Sequence, residues 1–150
     1  MLNIGDSAPE FELTDQHGEL ISLQAELATG GVILYFYPAD FSPVCTAEAC
    51  TFRDNYAGVE DVGLTIIDIS PQSEKSHERF AAQYDIPFSL LGDPGKKVIR
   101  AYGVDGPFGM GVRRATFHID QSGQVKNRVV ADFFVGSHVD LLKQAVADSD

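Results

Sequence analysis

Residues 31–50 read GVILYFYPADFSPVCTAEAC. Gly31 to Tyr37 is a continuous apolar run rich in β-branched and aromatic residues, the pattern of a strand covered on both faces. Pro38 ends the run and a short loop follows. Ser42-Pro43 then has the composition of a helix N-cap with proline at the first helical position. The next helix is expected over Pro43 to Gly58, closed by a glycine suited to a left-handed cap. Leu64 to Ile69 (LTIIDI) repeats the buried-strand pattern and gives a second central strand.

Working outward, Phe11 to Leu13 and Leu20 to Leu23 flank Asp15-Gln16-His17-Gly18 as an N-terminal hairpin. Ser73 opens a helix that places Phe80 and Tyr84 on one face. A short strand near Phe88 to Leu91 follows. Asp93-Pro94 reads as an N-cap with proline in the first turn of a helix running through Val98, Ile99 and Tyr102 to Gly103. Arg114 to Asp120 and Val125 to Ala131 form a second hairpin about Gln121-Ser122-Gly123-Gln124. Ser137 is expected to cap an amphipathic C-terminal helix with Val139, Leu142 and Val146 on its apolar stripe. Strands and helices alternate first, and a hairpin and helix close the chain. This is an α/β chain with a mixed central sheet and helices on both faces. The thioredoxin-like arrangement fits that order, as do several other folds, so function has to be argued from the site.

The chain has 150 residues, the size of one domain spanning 1–150. At this size roughly 70% of the unfolded chain's surface is buried, so a core forms without metal or disulfide staples. Eleven basic against 22 acidic side chains give a formal charge of -11. That charge repels phosphate backbones and anionic headgroups, which makes nucleic acid and membrane surfaces poor partners. The N-terminal MLNIGDSAPEFEL does not read as a secretory signal, and no run of 18 apolar residues exists. The expected compartment is the cytoplasm, where thiols stay reduced.

Cys45 falls at the third helical residue after Ser42. Its sulfur then lies among unpaired backbone N–H groups near the positive end of the helix dipole, which favours thiolate over thiol. A helix terminus supplies only about 0.3–1 kcal/mol. A thiolate dominant at neutral pH needs roughly 3.4 kcal/mol, so a cation must contribute the rest. Arg113 and Arg114 lead into a central strand, and alternation lets only one of them face the site. The plainer reading makes Cys45 and Cys50 small apolar fillers of a buried helix. A metal site has less support: the lone C-x4-C lacks a second ligand pair, and His17, His77, His118 and His138 are scattered as surface or packing residues. In an intact helix, residues five apart have Cα atoms about 8.7 Å apart pointing about 140° from each other. A disulfide needs about 7 Å or less, so these two cysteines bond only if the first turns of the helix unwind.

Pro38, Ser42 and Cys45 follow the spacing proline, three residues, threonine or serine, two residues, cysteine. At these residues the chain resembles the peroxiredoxins, within them the Q-type or bacterioferritin comigratory protein group. The likeness extends to GDSAPEFEL, LLGDPGKKVIRAYGV and the last helix. Arg114-Ala115-Thr116-Phe117-His118-Ile119-Asp120 resembles the strand entered by the family's active-site arginine and selects Arg114 over Arg113. Cys50 matches the resolving cysteine of many Q-type members, and Glu48 the acidic or amide position three after the first cysteine. Ser42 departs from the commoner threonine, keeping the hydroxyl.

The resemblance implies an atypical two-cysteine peroxidase of thioredoxin-like fold that reduces hydrogen peroxide and organic hydroperoxides. Cys45 attacks the peroxide and becomes a sulfenic acid. Cys50 condenses with it to an intramolecular disulfide, and thioredoxin or a similar dithiol restores both thiols. Arg114, the Ser42 hydroxyl and backbone N–H groups hold the peroxide and stabilise the departing charge, while Pro38 packs over the pocket. No cofactor or metal is implied, and the chain is expected to be a monomer or weak homodimer. Each role has a plainer counterpart: Ser42 as a cap, Pro38 as a strand end, Glu48 as a surface charge, Arg53 as a helical ion pair. Phe41, Phe108 and Met110 either pack ordinarily or line a pocket for an organic peroxide. A non-catalytic redox sensor and a thiol-disulfide reductase are the competing functions, the latter weakened by the absence of C-x-x-C.

Overall fold

Val32–Phe36 forms the central strand β3, with all five residues buried. The computed structural model describes residues 1–132 and 135–149. Before β3 come β1 (Glu12–Thr14) and β2 (Leu20–Ser22), paired antiparallel, and α1 (Leu23–Leu27). After it come α2 (Pro43–Asp54), α3 (Tyr56–Asp61), β4 (Thr65–Ser70), α4 (Glu74–Tyr84), β5 (Ser89–Gly92) and α5 (Lys97–Ala101). The chain then continues through β6 (Ala115–Ile119), β7 (Val125–Val130) and α6 (Val135–Ser149). The main sheet has the order β5-β4-β3-β6-β7. β3, β4 and β5 are mutually parallel, while β6 and β7 are antiparallel to their neighbours.

Alternation along β3 explains the two cores. Ile33, Tyr35 and Tyr37 face Cys45, Ala49 and Phe52 of α2, Phe80 of α4 and Leu142 of α6. Val32, Leu34 and Phe36 face the other way, toward Phe11, Ile99, Tyr102 and Phe117. Each fully buried large apolar side chain contributes roughly 1.5–3 kcal/mol relative to exposure. The expected mixed sheet with helices on both faces and an N-terminal hairpin is therefore present. Among the described residues no helix is long and apolar enough to cross a membrane.

Three local expectations are corrected, and one helix is added. The helix after the first strand does not run unbroken to Gly58. It stops at Asn55, whose side-chain amide takes the Thr51 carbonyl at 2.8 Å in competition with the backbone, and whose own N–H is shared between the Thr51 and Phe52 carbonyls at 3.2 Å. A second helix, α3, passes through Gly58, and the left-handed glycine cap is Gly63, with φ of +80°. Gly63 N–H donates to Glu60 and Leu64 N–H to Val59, the paired bonds of a Schellman motif. At α5, Asp93-Pro94 closes a turn first, with Lys96 N–H on the Asp93 carbonyl at 2.9 Å. The Asp93 carboxylate still caps the helix from that distance, accepting from Lys97 N–H at 3.1 Å and Ile99 N–H at 2.9 Å. Ser137 lies inside α6, not at its N-cap, because the helix is already formed at Val135. Burial of His138 against Thr116 and Ala131 positions that first turn, overriding the capping preference of serine. Finally, α1, capped by Ser22 through Ala25 N–H, was not anticipated.

Candidate active site

The loop between β3 and α2 is pinned by Asp40. Its carboxylate accepts from the Tyr37 hydroxyl at 2.6 Å, the Ser76 hydroxyl at 2.7 Å and His77 Nδ1 at 2.8 Å. The Asp40 and His77 side chains are both fully buried. Burial alone pushes the Asp40 carboxyl up, but hydrogen bonding and charge from His77, with help from Tyr37 and Ser76, outweigh it and hold the group below the usual carboxylate range. Next to it, Phe41 takes a left-handed backbone, φ 65°, and sets its ring edge-on to Phe80 with centroids 5.2 Å apart. A non-glycine residue in that region stores of order 1 kcal/mol, offset here by the Asp40 bonds and the ring contact.

Ser42 then starts α2. Its hydroxyl accepts from Cys45 N–H at 3.4 Å and donates to the Ala39 carbonyl at 3.3 Å, tying loop and helix together. Pro43 occupies the first helical position. Cys45 is therefore at the third helical position, 1% exposed and a free thiol. Pro38 is half-buried where the loop leaves the sheet. Cys50 lies in the same unbroken helix, half-buried, and is also a free thiol.

Glu48 is fully buried one turn after Cys45, so the surface-charge reading does not hold. Neither of its carboxyl oxygens has a hydrogen-bond partner among the described residues. Burial pushes it up to about 8 against the pull of Arg114. Arg114 enters from β6 on the Thr116 side of the sheet. Its Nη1 donates to the Asp132 carbonyl at 2.6 Å, and its Nε is buried with no partner among the described residues. Arg113 is occupied elsewhere, its Nε and Nη2 on the Asp132 carboxylate at 3.0 and 2.9 Å. Arg53 lies outside this group, bonded to Asp54 and to the Tyr84 carbonyl.

Sequence reading missed the polar lining beneath this helix. The buried Tyr35 hydroxyl lies in the field of Glu48, Cys45, Asp68 and Arg114, with burial the main cause of its raised value. Asp68, paired in register with Tyr35 across β3 and β4, is buried and pushed well up by desolvation, then by Glu48 and Asp40. His138 is not a simple packing residue: Nδ1 is 2.7 Å from the Thr116 hydroxyl and Nε2 2.8 Å from the Ala131 carbonyl. The available signal was an aspartate inside the apolar run LTIIDI, which alternation places on the Tyr35 face. Ordinary packing does not hold for Phe108, which is 101% exposed, or Met110, which is 74% exposed. Both project from a tight turn in which Phe108, Gly109 and Gly111 have positive φ. Phe41, though 43% exposed, packs on Phe80.

The AhpC/TSA family model matches residues 4–128. The chain belongs to that family. It is 41% identical over 140 residues to chloroplastic peroxiredoxin Q of Arabidopsis thaliana, covering 93% of this chain and 64% of that one. It thus spans less than two thirds of that relative's length. It is 38% identical over 130 residues to peroxiredoxin Bcp of Bacillus subtilis, covering 83% and 82% of the two chains. Peroxidoxin BcpB of Mycobacterium tuberculosis superposes with a TM-score of 0.92 at 32% identity, over 99% of this chain and 98% of that one. The bacterioferritin comigratory protein of Xanthomonas campestris gives 0.85 at 28% identity, over 93% and 92%. The fold is the thioredoxin-like fold of the peroxiredoxins, and the chain sits in their Q or Bcp group.

Proposed function

We propose that this peroxiredoxin is a thiol-dependent peroxidase acting on hydrogen peroxide and organic hydroperoxides as a single domain over 1–150. The observation that carries the reading is Cys45 at the third position of a Ser42-capped helix, on the buried face that Arg114 enters with an Nε unpartnered among the described residues. The Cys45 thiolate attacks one peroxide oxygen, forming an S–O bond as the O–O bond breaks. Arg114, the Ser42 hydroxyl and the first N–H groups of α2 orient the peroxide and stabilise charge on the oxygen that departs. Pro38 shields the pocket, and Glu48 supports Arg114. Cys50 attacks the resulting sulfenic acid and releases water, giving an intramolecular disulfide. Thioredoxin or a similar dithiol reduces that bond by exchange.

The Xanthomonas relative, whose structures concern its alkyl peroxide reduction activity, supports including organic hydroperoxides. The cytoplasm and a monomer or weak homodimer complete the proposal, and the charge of -11 supports the absence of nucleic-acid and membrane partners. Steady peroxide consumption with a thioredoxin system tests it. Cys45→Ser is expected to abolish consumption, and a Cys45→Ser protein that turns over at the parent rate refutes the reading.

A further inference from the structure

We infer that Glu48 is the acid that protonates the oxygen leaving the peroxide. The inference rests on the peroxidase reading above and deepens it. The argument starts at His138. The Ala131 carbonyl can only accept, so His138 Nε2 carries the proton. In the neutral ring Nδ1 then presents a lone pair, into which the Thr116 hydroxyl donates at 2.7 Å. Burial keeps this imidazole below its usual range, in agreement with a neutral ring. Glu48 Oε1 lies 3.6 Å from that same Nδ1. That lone pair is taken by Thr116, so a Glu48 carboxylate would meet an acceptor nitrogen with no N–H to offer it. The geometry thus favours the protonated form, as does burial of both Glu48 oxygens without a partner among the described residues.

Position makes that proton useful. Cys45 and Glu48 are three residues apart on one helix face, a separation that puts Cβ atoms about 5–6 Å from each other. Groups around Glu48 come from every element packed on it: Cys45 on α2, Tyr35 on β3, Asp68 on β4, Arg114 at the start of β6 and His138 on α6. Arg114 is the cation that favours ionised Glu48, so it stabilises the carboxylate left when the proton departs. The step balances: the thiolate and ROOH give Cys45 sulfenic acid and RO⁻, and RO⁻ takes the Glu48 proton to leave as ROH. After the disulfide is reduced, ionisation of the Cys45 thiol supplies a proton that returns to Glu48.

The chain has no tryptophan, so single-turnover oxidation of the reduced protein is followed by rapid-quench mass spectrometry against pH. Thiolate formation can only raise the rate as pH increases, so a falling limb reports a group required in its protonated form. Burial raises Tyr35 and Asp68 as well, and the Glu48→Gln variant separates them from Glu48. The parent rate is expected to fall as pH rises through about 8. Glu48→Gln is expected to be slower by roughly 100-fold or more at neutral pH and to lack that limb. Should this variant fail to fold, the parent suffices: across hydroperoxides of different leaving-group acidity, its rates should depend weakly on that acidity below pH 8 and steeply above it. Equal dependence on both sides, or a folded Glu48→Gln protein with the parent's rate and profile, overturns the proton-donor role while leaving the peroxidase reading intact. A parent that does not react with peroxide overturns both.

Discussion

Arg113 and Arg114 are consecutive in the chain but meet Asp132 differently. Arg113 gives its guanidinium to the carboxylate, with contacts of 3.0 and 2.9 Å, whereas Arg114 uses one nitrogen on the backbone carbonyl and keeps Nε buried and unpartnered among the described residues. Alternation into β6 is the cause: Arg114 shares the face of Thr116, and Thr116 bonds His138 beneath α2. Arg114→Ala is therefore expected to cost about 2–4 kcal/mol of transition-state stabilisation in peroxide reduction, as loss of a donor to a developing oxyanion does. Arg113→Ala should keep the rate within about twofold. Initial rates at limiting peroxide check both, and an Arg114→Ala rate within about twofold of the parent would move the role to another cation.

Cys45 and Cys50 occupy one continuous helix, α2, and both are free thiols. Helix geometry holds their Cα atoms about 8.7 Å apart, beyond disulfide reach of about 7 Å. Oxidation with one equivalent of peroxide should therefore lower helical circular dichroism, and dithiol should restore it. Cys50→Ser should complete one turnover and stall at sulfenic acid. An oxidised protein that carries the disulfide with an undiminished helical signal would contradict this.

The fold was legible where a pattern repeats within a short window. GVILYFY alternates its residues between two cores, and Ser42-Pro43 marks the start of α2, because strand pleat and capping are local effects. Helix ends were less legible because the competing bonds come from farther away or from side chains. Asn55 stops α2 through Thr51, and Asp93 caps α5 across a turn. In the site, Ser42, Cys45 and Arg114 carry recognisable spacing. Tyr35, Asp68 and His138 do not, since their roles arise from strand register and from α6 closing over α2. His138 reaches Thr116 across 22 positions of sequence, a separation no local pattern encodes.

Asp40 and His77 join the loop between β3 and α2 to α4, 37 residues apart, through a fully buried contact of 2.8 Å. Removing one partner of such a pair typically costs about 3–5 kcal/mol, because the other is left buried and uncompensated. Asp40→Asn should lower stability by an amount of that order and loosen the loop that carries Ser42. Because the folded carboxyl is held below its unfolded value, its contribution is present above that unfolded value. It is lost as pH falls through the lower folded one. Urea unfolding from neutral to acidic pH tests this, and an Asp40→Asn midpoint equal to the parent's at neutral pH counts against the clamp.

Glu48 works in the opposite direction. Its unfolded value is about 4.3, and burial raises the folded value to about 8. Its contribution to stability is complete below the unfolded value and is withdrawn as pH climbs through the folded one, at about 1.4 kcal/mol per unit between them. Asp68, also raised by burial, adds a change of the same sign. Glu48→Gln keeps the shape of the acid and cannot ionise. The parent should therefore lose stability between mildly acidic and mildly alkaline pH, and the variant should lose less, becoming the more stable of the two above pH 8 by a difference of a few kcal/mol. Parallel urea midpoints for parent and variant across that range would mean that Glu48 is not buried as a neutral acid. A variant that is more stable in alkali yet slower with peroxide would show that the buried proton is kept for chemistry at the expense of stability.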